Sequence, residues 1–302
     1  MFKLVTFLIF GFYSICLQAQ YELDAGIQLG GANYLGEIGG GADEGRSFLL
    51  DMNLEQTDFA ISGFFRYGIN RNVAIKFSAS YARIGGADSL SENPARIGRN
   101  LSFRTDLIEA AVVGEYVFYQ NRDIFPNAQD QIKFRTYGFA GLGLLLYYPF
   151  AKQNEDWFSL RPLQTEGREN AYSTATLILP LGGGIDFSFQ KKFRLGLEVG
   201  YRISFTDYLD DISTDFAFAE ELPFSESAIF ANRSAEAFNR GEVDLPDPEN
   251  YLPGKIRGNP DNNDGYLMVQ ITFSYLIKPG LDYYSTKQRG LRKYKRIKTK
   301  FK

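Results

Sequence analysis

The sequence has no histidine and only one cysteine in 302 residues. Without imidazole there is no Ser-His or Cys-His nucleophilic pair, no imidazole general base, and none of the commonest zinc ligand. Cys16 is the sole thiol, so no disulfide forms within the chain. Beyond the first residues there is no run of 18 consecutive apolar side chains, which excludes helical membrane spans. Phosphate-loop chemistry is missing too. Gly182-Gly183-Gly184 lies inside an alternating stretch with no Lys-Ser or Lys-Thr after it, and reads as packing room. The acid pair Asp210 and Asp211 reads as solvated or turn-capping. No catalytic residue, cofactor or metal is assigned, and the chain is read as a non-enzyme. A formal net charge of −3 gives no reason to expect a nucleic-acid partner.

What is present begins with an export signal. Lys3 supplies a positive n-region, Leu4 to about Leu17 an apolar h-region, and Ala19 a small residue before Gln20. Ile15 is bulky where a lipoprotein signal wants a small residue ahead of its cysteine. Residues 1–19 are therefore read as a cleaved signal peptide, which would also remove Cys16.

The rest is rich in aromatics, at 16%, and holds 30 Gly and 19 Tyr. Strand-period alternation recurs along it. Val73, Ile75, Phe77, Ala79 and Tyr81 oppose Ala74, Lys76, Ser78, Ser80 and Ala82. Leu195, Leu197, Val199, Tyr201, Ile203 and Phe205 oppose Gly196, Glu198, Gly200, Arg202 and Ser204. Leu177, Leu179, Leu181, Ile185, Phe187 and Phe189 oppose Thr176, Gly182, Gly184, Asp186 and Ser188. Leu267, Val269, Ile271, Phe273 and Tyr275 oppose Met268, Gln270, Thr272 and Ser274. The pattern holds again from Tyr21 to Leu29, Phe59 to Ile69 and Ile108 to Phe118, and blurs from Tyr137 to Tyr147.

Each stretch has the roughly 9 to 13 residues a tilted strand needs to cross a bilayer. A soluble sandwich shares the period but not the polar face, which carries charge in mid-strand: Asp24, Arg66, Lys76, Glu109, Glu115, Asp186, Glu198 and Arg202. In a closed barrel in lipid that face fills the lumen, where opposite charges can pair. Connections alternate between short (Asn70 to Asn72, Gln190 to Lys192) and long (about 35–57, 84–106, 148–175 and 207–265), with 120–133 a longer turn on the short side. The fold expected over residues 20–277 is an all-β, eight-stranded antiparallel up-and-down transmembrane β-barrel. Its long loops are extracellular, both termini are periplasmic, and the lumen is plugged.

Charge is distributed unevenly. From Lys278 to Lys302 ten Lys or Arg face one acid, Asp282, so the remainder of the chain is strongly acidic. This basic tail, 278–302, would lie in the periplasm. Leu291, Tyr294, Ile297 and Phe301 suit one helix face, while Ile297, Thr299 and Phe301 also alternate as a strand would. Arg289, Arg292, Lys293, Lys295, Arg296, Lys298 and Lys300 would meet either anionic lipid headgroups or an acidic partner surface. The acidic pieces Thr206 to Asp211 and Asn259 to Gly265 have the oxygen-rich composition calcium favours. Their spacing departs from an EF-hand, and Asp and Asn are ordinary turn formers.

Five phrases carry a family resemblance: GGANYLGEIG (Gly30 to Gly39), RNLSFRT (Arg99 to Thr105), RPLQTEG (Arg161 to Gly167), FTDYLDDIS (Phe205 to Ser213) and RGNPDNNDGY (Arg257 to Tyr266). In this order the chain resembles the PorG-like outer-membrane proteins of the type IX secretion system. The resemblance implies a small outer-membrane barrel associated with the periplasmic ring of that machine, which is built from a lipoprotein and a partner subunit. It also implies a part in protein export and, in gliding bacteria, surface motility. An acidic, Phe-rich stretch around Phe216 to Phe238 falls outside the pattern. A different class of function, a stand-alone surface adhesion or ligand-binding barrel using its long loops, is the alternative.

Overall fold

The computed structural model describes residues 22–38, 56–121, 133–190, 192–241 and 245–278. The proposed signal peptide, and the basic tail after Lys278 with all seven of its partner-binding candidates, lie outside the described residues. Nine strands form one sheet: β1 (Leu23–Leu35), β2 (Asp58–Gly68), β3 (Val73–Ala87), β4 (Ser102–Asn121), β5 (Lys133–Gln153), β6 (Asp156–Ser159), β7 (Ala175–Phe189), β8 (Phe193–Ser204) and β9 (Gly265–Lys278). All pairings are antiparallel. The order β4-β3-β2-β1-β9-β8-β7-β5 closes on itself because β4 also pairs with β5. Eight strands therefore make a closed up-and-down barrel, as expected. β6 is a short hairpin return on the overhanging end of β5. No helix among the described residues is long and apolar enough to cross a membrane.

Alternation decides which way each side chain points. On β8, Leu195, Leu197, Val199 and Ile203 face out while Gly196, Glu198, Gly200, Arg202 and Ser204 are buried. β2, β3, β4 and β9 repeat the pattern, so Ile27, Leu29, Ile61, Ile108, Val112, Leu142, Leu144, Leu177 and Ile271 form a continuous apolar exterior. Aromatic rings flank it. At one rim Tyr119, Phe134 and Phe187 contact in series, and Phe193 stacks near Phe189, Phe273 and Tyr275. At the other, Phe59 meets Tyr81. An apolar band between aromatic girdles is the exterior that suits a bilayer. A water-facing barrel would leave large apolar surface uncovered.

The short turns share one rim. Asn70 makes the β2–β3 turn, its side chain accepting from the backbone N–H of Asn72 and of Val73, each at 2.9 Å. Gln190 opens the β7–β8 turn in the left-handed region, at φ 50°. The long connections share the opposite rim.

Three expectations need correcting. Where a loop was expected over 84–106, β3 runs on to Ala87 and β4 begins at Ser102. These overhangs carry a polar exterior, the cross-strand pair Arg83–Asp106 at 2.8 Å, which fits strand continuing past the apolar band. Where 148–175 was expected to be loop, β5 reaches Gln153 and pairs with β6. Leu267, assigned to the outer face, is only 4% exposed, at the mouth end of β9.

Candidate functional site

Two assemblies occupy the inside of the molecule, one in the lumen and one at the long-loop mouth. All eight lumen residues singled out by alternation are buried. Arg66 donates from Nε to Glu115 at 3.0 Å, and its Nη1 lies 3.5 Å from both Asp24 and Asp186. Lys76 reaches across to Glu198 at 2.6 Å, which also accepts from the Tyr137 hydroxyl at 2.8 Å. Higher up, Arg202 pairs with Glu109 at 3.2 Å, and Tyr266 donates to the same carboxylate at 2.8 Å.

Two cations complete the network. Arg135 binds Asp186 at 2.5 Å, and Arg194 pairs with Asp24 and Glu22. Parity could have found both, since Arg194 shares a face with Glu198, and Arg135 sits opposite Asp186 in register. With them, five buried carboxylates on the barrel strands meet five buried cations. Isolated charges in so dry a place would cost several kcal/mol each, so neutrality is what makes the arrangement tenable.

Rings fill the space between the charges. Tyr137 and Phe139 turn inward, and a Cβ on Gly182 or Gly200 would come within 2.7 or 2.8 Å of the Phe139 ring. One on Gly184 would come within 2.6 Å of Tyr137. The glycine run is therefore packing room. The Lys76 ammonium lies 4.9 Å from the Phe139 ring centre, a cation–π contact.

The mouth assembly was not anticipated as a unit. The connection from β8 to β9 folds back over the barrel, placing Leu209 and Ile212 at 0% and 1% exposure among Ile38, Leu101, Phe103, Leu145, Ile178 and Met268. Thr105, on the inner face of β4, donates to the Leu209 carbonyl at 2.5 Å. Asp210 and Asp211, expected to be solvated or turn-capping, are each 1% exposed, and Asp210 caps a turn by accepting from the Ile212 N–H. They are buried because hydrogen bonds replace water. Asp210 accepts from the Ile212 backbone at 3.0 Å, and Asp211 from Thr165 at 2.5 Å and from Tyr172.

Two guanidinium groups tie the connections together. Arg257 donates to Glu166 and to the Asp211 carbonyl, both at 2.8 Å, and to the Ala231 carbonyl at 3.2 Å. Arg99 forks onto Asp88 at 2.8 and 2.9 Å and reaches the carbonyls of Arg257 at 2.6 Å and Glu37 at 3.0 Å. It ends a helix, Pro94–Arg99, whose first turn is capped by Asn93 and whose end turns through Asn100 in the left-handed region. Glu166 also accepts from the backbone of Ser213 and Thr214.

All five resemblance phrases contribute here: Tyr34 and Glu37, Arg99 and Thr105, Thr165 and Glu166, Asp207 to Asp211, Arg257 and Asp264. The Phe-rich stretch packs on top, with Phe216 and Phe238 against Tyr251 and Phe230 against Phe158. It leaves Phe218 and Phe224 exposed.

Burial dominates the acid–base character of the mouth. It pushes Asp210 up to about 8, with Glu37 adding repulsion, and Asp207 up to about 9, with Asp210 adding repulsion. Asp211 rises less, to about 6, because Arg257 and its hydrogen bonds oppose the cost of burial. Among the described residues no group of three or more His, Cys, Asp or Glu is placed to hold a metal ion. The acidic pieces considered for calcium do converge, Asp210 and Asp264 on the Tyr34 hydroxyl and backbone N–H groups.

Solved structures similar to this chain are small membrane barrels. The N-terminal β-barrel domain of Pseudomonas aeruginosa OprF aligns over 84% of this chain and 97% of that one, at 9% identity and a TM-score of 0.33. Neisserial surface protein A covers 85% and 97%, at 10% identity and 0.34. Ail, the attachment invasion locus protein of Yersinia pestis, solved with the heparin analogue sucrose octasulfate, covers 85% and 96%, at 8% and 0.32. At such scores the fold rests on the chain's own closed ladder. No curated protein matches the chain. A family model does, that of a domain of unknown function called DUF6089, over residues 2–226. With about three-quarters of its length so matched, the chain belongs to the DUF6089 family.

Proposed function

We propose that this protein is an outer-membrane barrel acting as a structural and interaction component of a protein secretion machine, with its long loops outside and its termini in the periplasm. The observation that carries the reading is a lumen closed twice, by a neutral charge network and by a folded mouth. Among the described residues the inward side chains are buried against one another, which favours a use that lies in the barrel's surfaces. The apolar exterior with aromatic girdles supports residence in lipid, and the layout of residues 1–19 supports export. The resemblance to PorG-like proteins supplies the finer part. The partners would be the periplasmic lipoprotein and ring subunit of a type IX system, with surface motility served in gliding cells. The basic tail is the natural contact, because it would emerge beneath the membrane, where an acidic surface can steer it.

Mild detergent extraction followed by affinity purification tests the proposal. Ring subunits should co-purify with the barrel. Recovery of the barrel alone, together with ligand binding by the surface loops, would replace the reading with an adhesion barrel.

A further inference from the structure

Tyr34, at the mouth end of β1, places its hydroxyl 2.7 Å from Asp210 Oδ2 and 2.5 Å from Asp264 Oδ1. A phenol has one proton to donate. Two such short contacts to two acceptor-only carboxylates would set a lone pair against a lone pair. The geometry closes only if the second contact carries a proton on the carboxyl, donated to the phenol oxygen. That oxygen already accepts one bond, from the Glu37 backbone at 3.1 Å, and has a second lone pair free. The far oxygens of both carboxyls accept from the backbone, Asp210 from Ile212 at 3.0 Å and Asp264 from Leu209 at 2.9 Å.

We propose that Asp210 and Asp264 share one proton through the Tyr34 hydroxyl, and that this proton latches the β8–β9 connection onto the barrel mouth. The surroundings favour keeping it. Glu37 just past β1, Asp207 and Asp211 on the same connection, and Glu166 ahead of β7 crowd negative charge around the pair. Tyr147 on β5 and Tyr201 on β8 are neutral neighbours, and Arg99 and Arg257 supply nearby positive charge, with Arg161 beside Tyr147 and Arg96 beside Glu37. Asp207 is 6% exposed, and neither of its carboxyl oxygens has a hydrogen-bond partner. Burial raises Asp264 well above its ordinary range, and Asp210 adds to that, so the pair's proton affinity is set by enclosure.

The sign of the pH dependence follows. With the connection seated, the acids hold protons that they would release once exposed to water. Seating is therefore strongest in acid and weakens as pH rises from the ordinary carboxylate range, about 4. The loss continues through about 8 and about 9, where Asp210 and Asp207 ionise. Across this range the opening equilibrium grows about tenfold per pH unit for each proton released.

The test uses the full-length barrel folded in detergent micelles. Protease nicking within 205–264 is timed across pH and normalised to an unstructured peptide digested in the same buffers. Wild type should be nicked progressively faster from about pH 5 through about pH 9. Asp210→Asn and Asp264→Asn each place an amide donor where the proton sits, so both should stay better protected than wild type and show a shallower slope, with Asp207 and Asp211 keeping their own share. Infrared difference spectra on the wild type, which need no variant to fold, should show a protonated carboxyl at neutral pH that disappears at alkaline pH. A flat wild-type profile, an unchanged slope in both variants, or no such carboxyl signal would overturn the latch.

Discussion

A buried charge is tolerated only in company. Arg66 serves Glu115, Asp24 and Asp186 at once and is 2% exposed, and for Glu115 it is the close partner at 2.9 Å. Arg66→Leu should leave Glu115 with only the longer contacts to Lys76 at 3.8 Å and Arg135 at 3.9 Å, and destabilise the barrel by about 3–5 kcal/mol. Lys76→Met or Glu198→Leu alone should behave similarly, but the double variant should recover much of the loss, because no lone charge then remains. Urea unfolding in lipid vesicles would measure all four, and equal damage from single and double variants would contradict the pairing. On the outer face the sign reverses, and Val199→Arg should cost about 2–4 kcal/mol by placing charge in lipid. At this scale the sequence was informative wherever a residue shared parity with charged neighbours. It did not show the burial of Asp210 and Asp211, because a loop has no period from which burial can be read.

Strands differ in how clearly they announce their faces. β8 alternates cleanly because its lumen side is Gly, Glu and Arg. β5 does not, because Tyr137, Phe139, Leu145 and Tyr147 are all buried on its inner side while Leu142 and Leu144 face out. Both faces of β5 are apolar, and hydropathy alone cannot separate a lipid-facing leucine from one packed under a folded loop. Glycines on these strands also divide in a testable way. A Cβ on Gly141 would lie 2.1 Å from the Val112 carbonyl oxygen, whereas one on Gly63 would meet nothing within 4 Å. Gly141→Val should therefore lower folding yield sharply, and Gly63→Val, on the lipid side of β2, should leave it unchanged or raise it. Band-shift electrophoresis of refolded protein distinguishes the two. A benign Gly141→Val would mean that the β4–β5 approach is looser than described.

The molecule is sealed at both the lumen and the mouth, which predicts its electrical behaviour. Reconstituted into planar bilayers at neutral pH, the protein should show no stable, large single-channel current. Persistent openings would require the charge network to part. Deleting Thr286 to Lys302 should leave the barrel folded, since β9 ends at Lys278, yet reduce co-purification of periplasmic partners and secretion. Full secretion by the truncated strain would remove the tail from the proposal and leave the barrel unaffected.

The seam of the cylinder joins the two extremes of the chain. β1 pairs with β9 along its whole length, from Leu23 opposite Lys278 to Leu35 opposite Gly265. Nothing built before β9 arrives can close, so every partial structure presents two unpaired edges and an apolar exterior. Such edges are templates for association with other chains, and contacts so distant in sequence form slowly. A chain synthesised from its N-terminus must therefore stay unfolded and escorted until its last strand is available, and insertion must be nearly all-or-none. Removing residues 265–278 should accordingly yield no smaller barrel, only protein that aggregates or is degraded before reaching a bilayer.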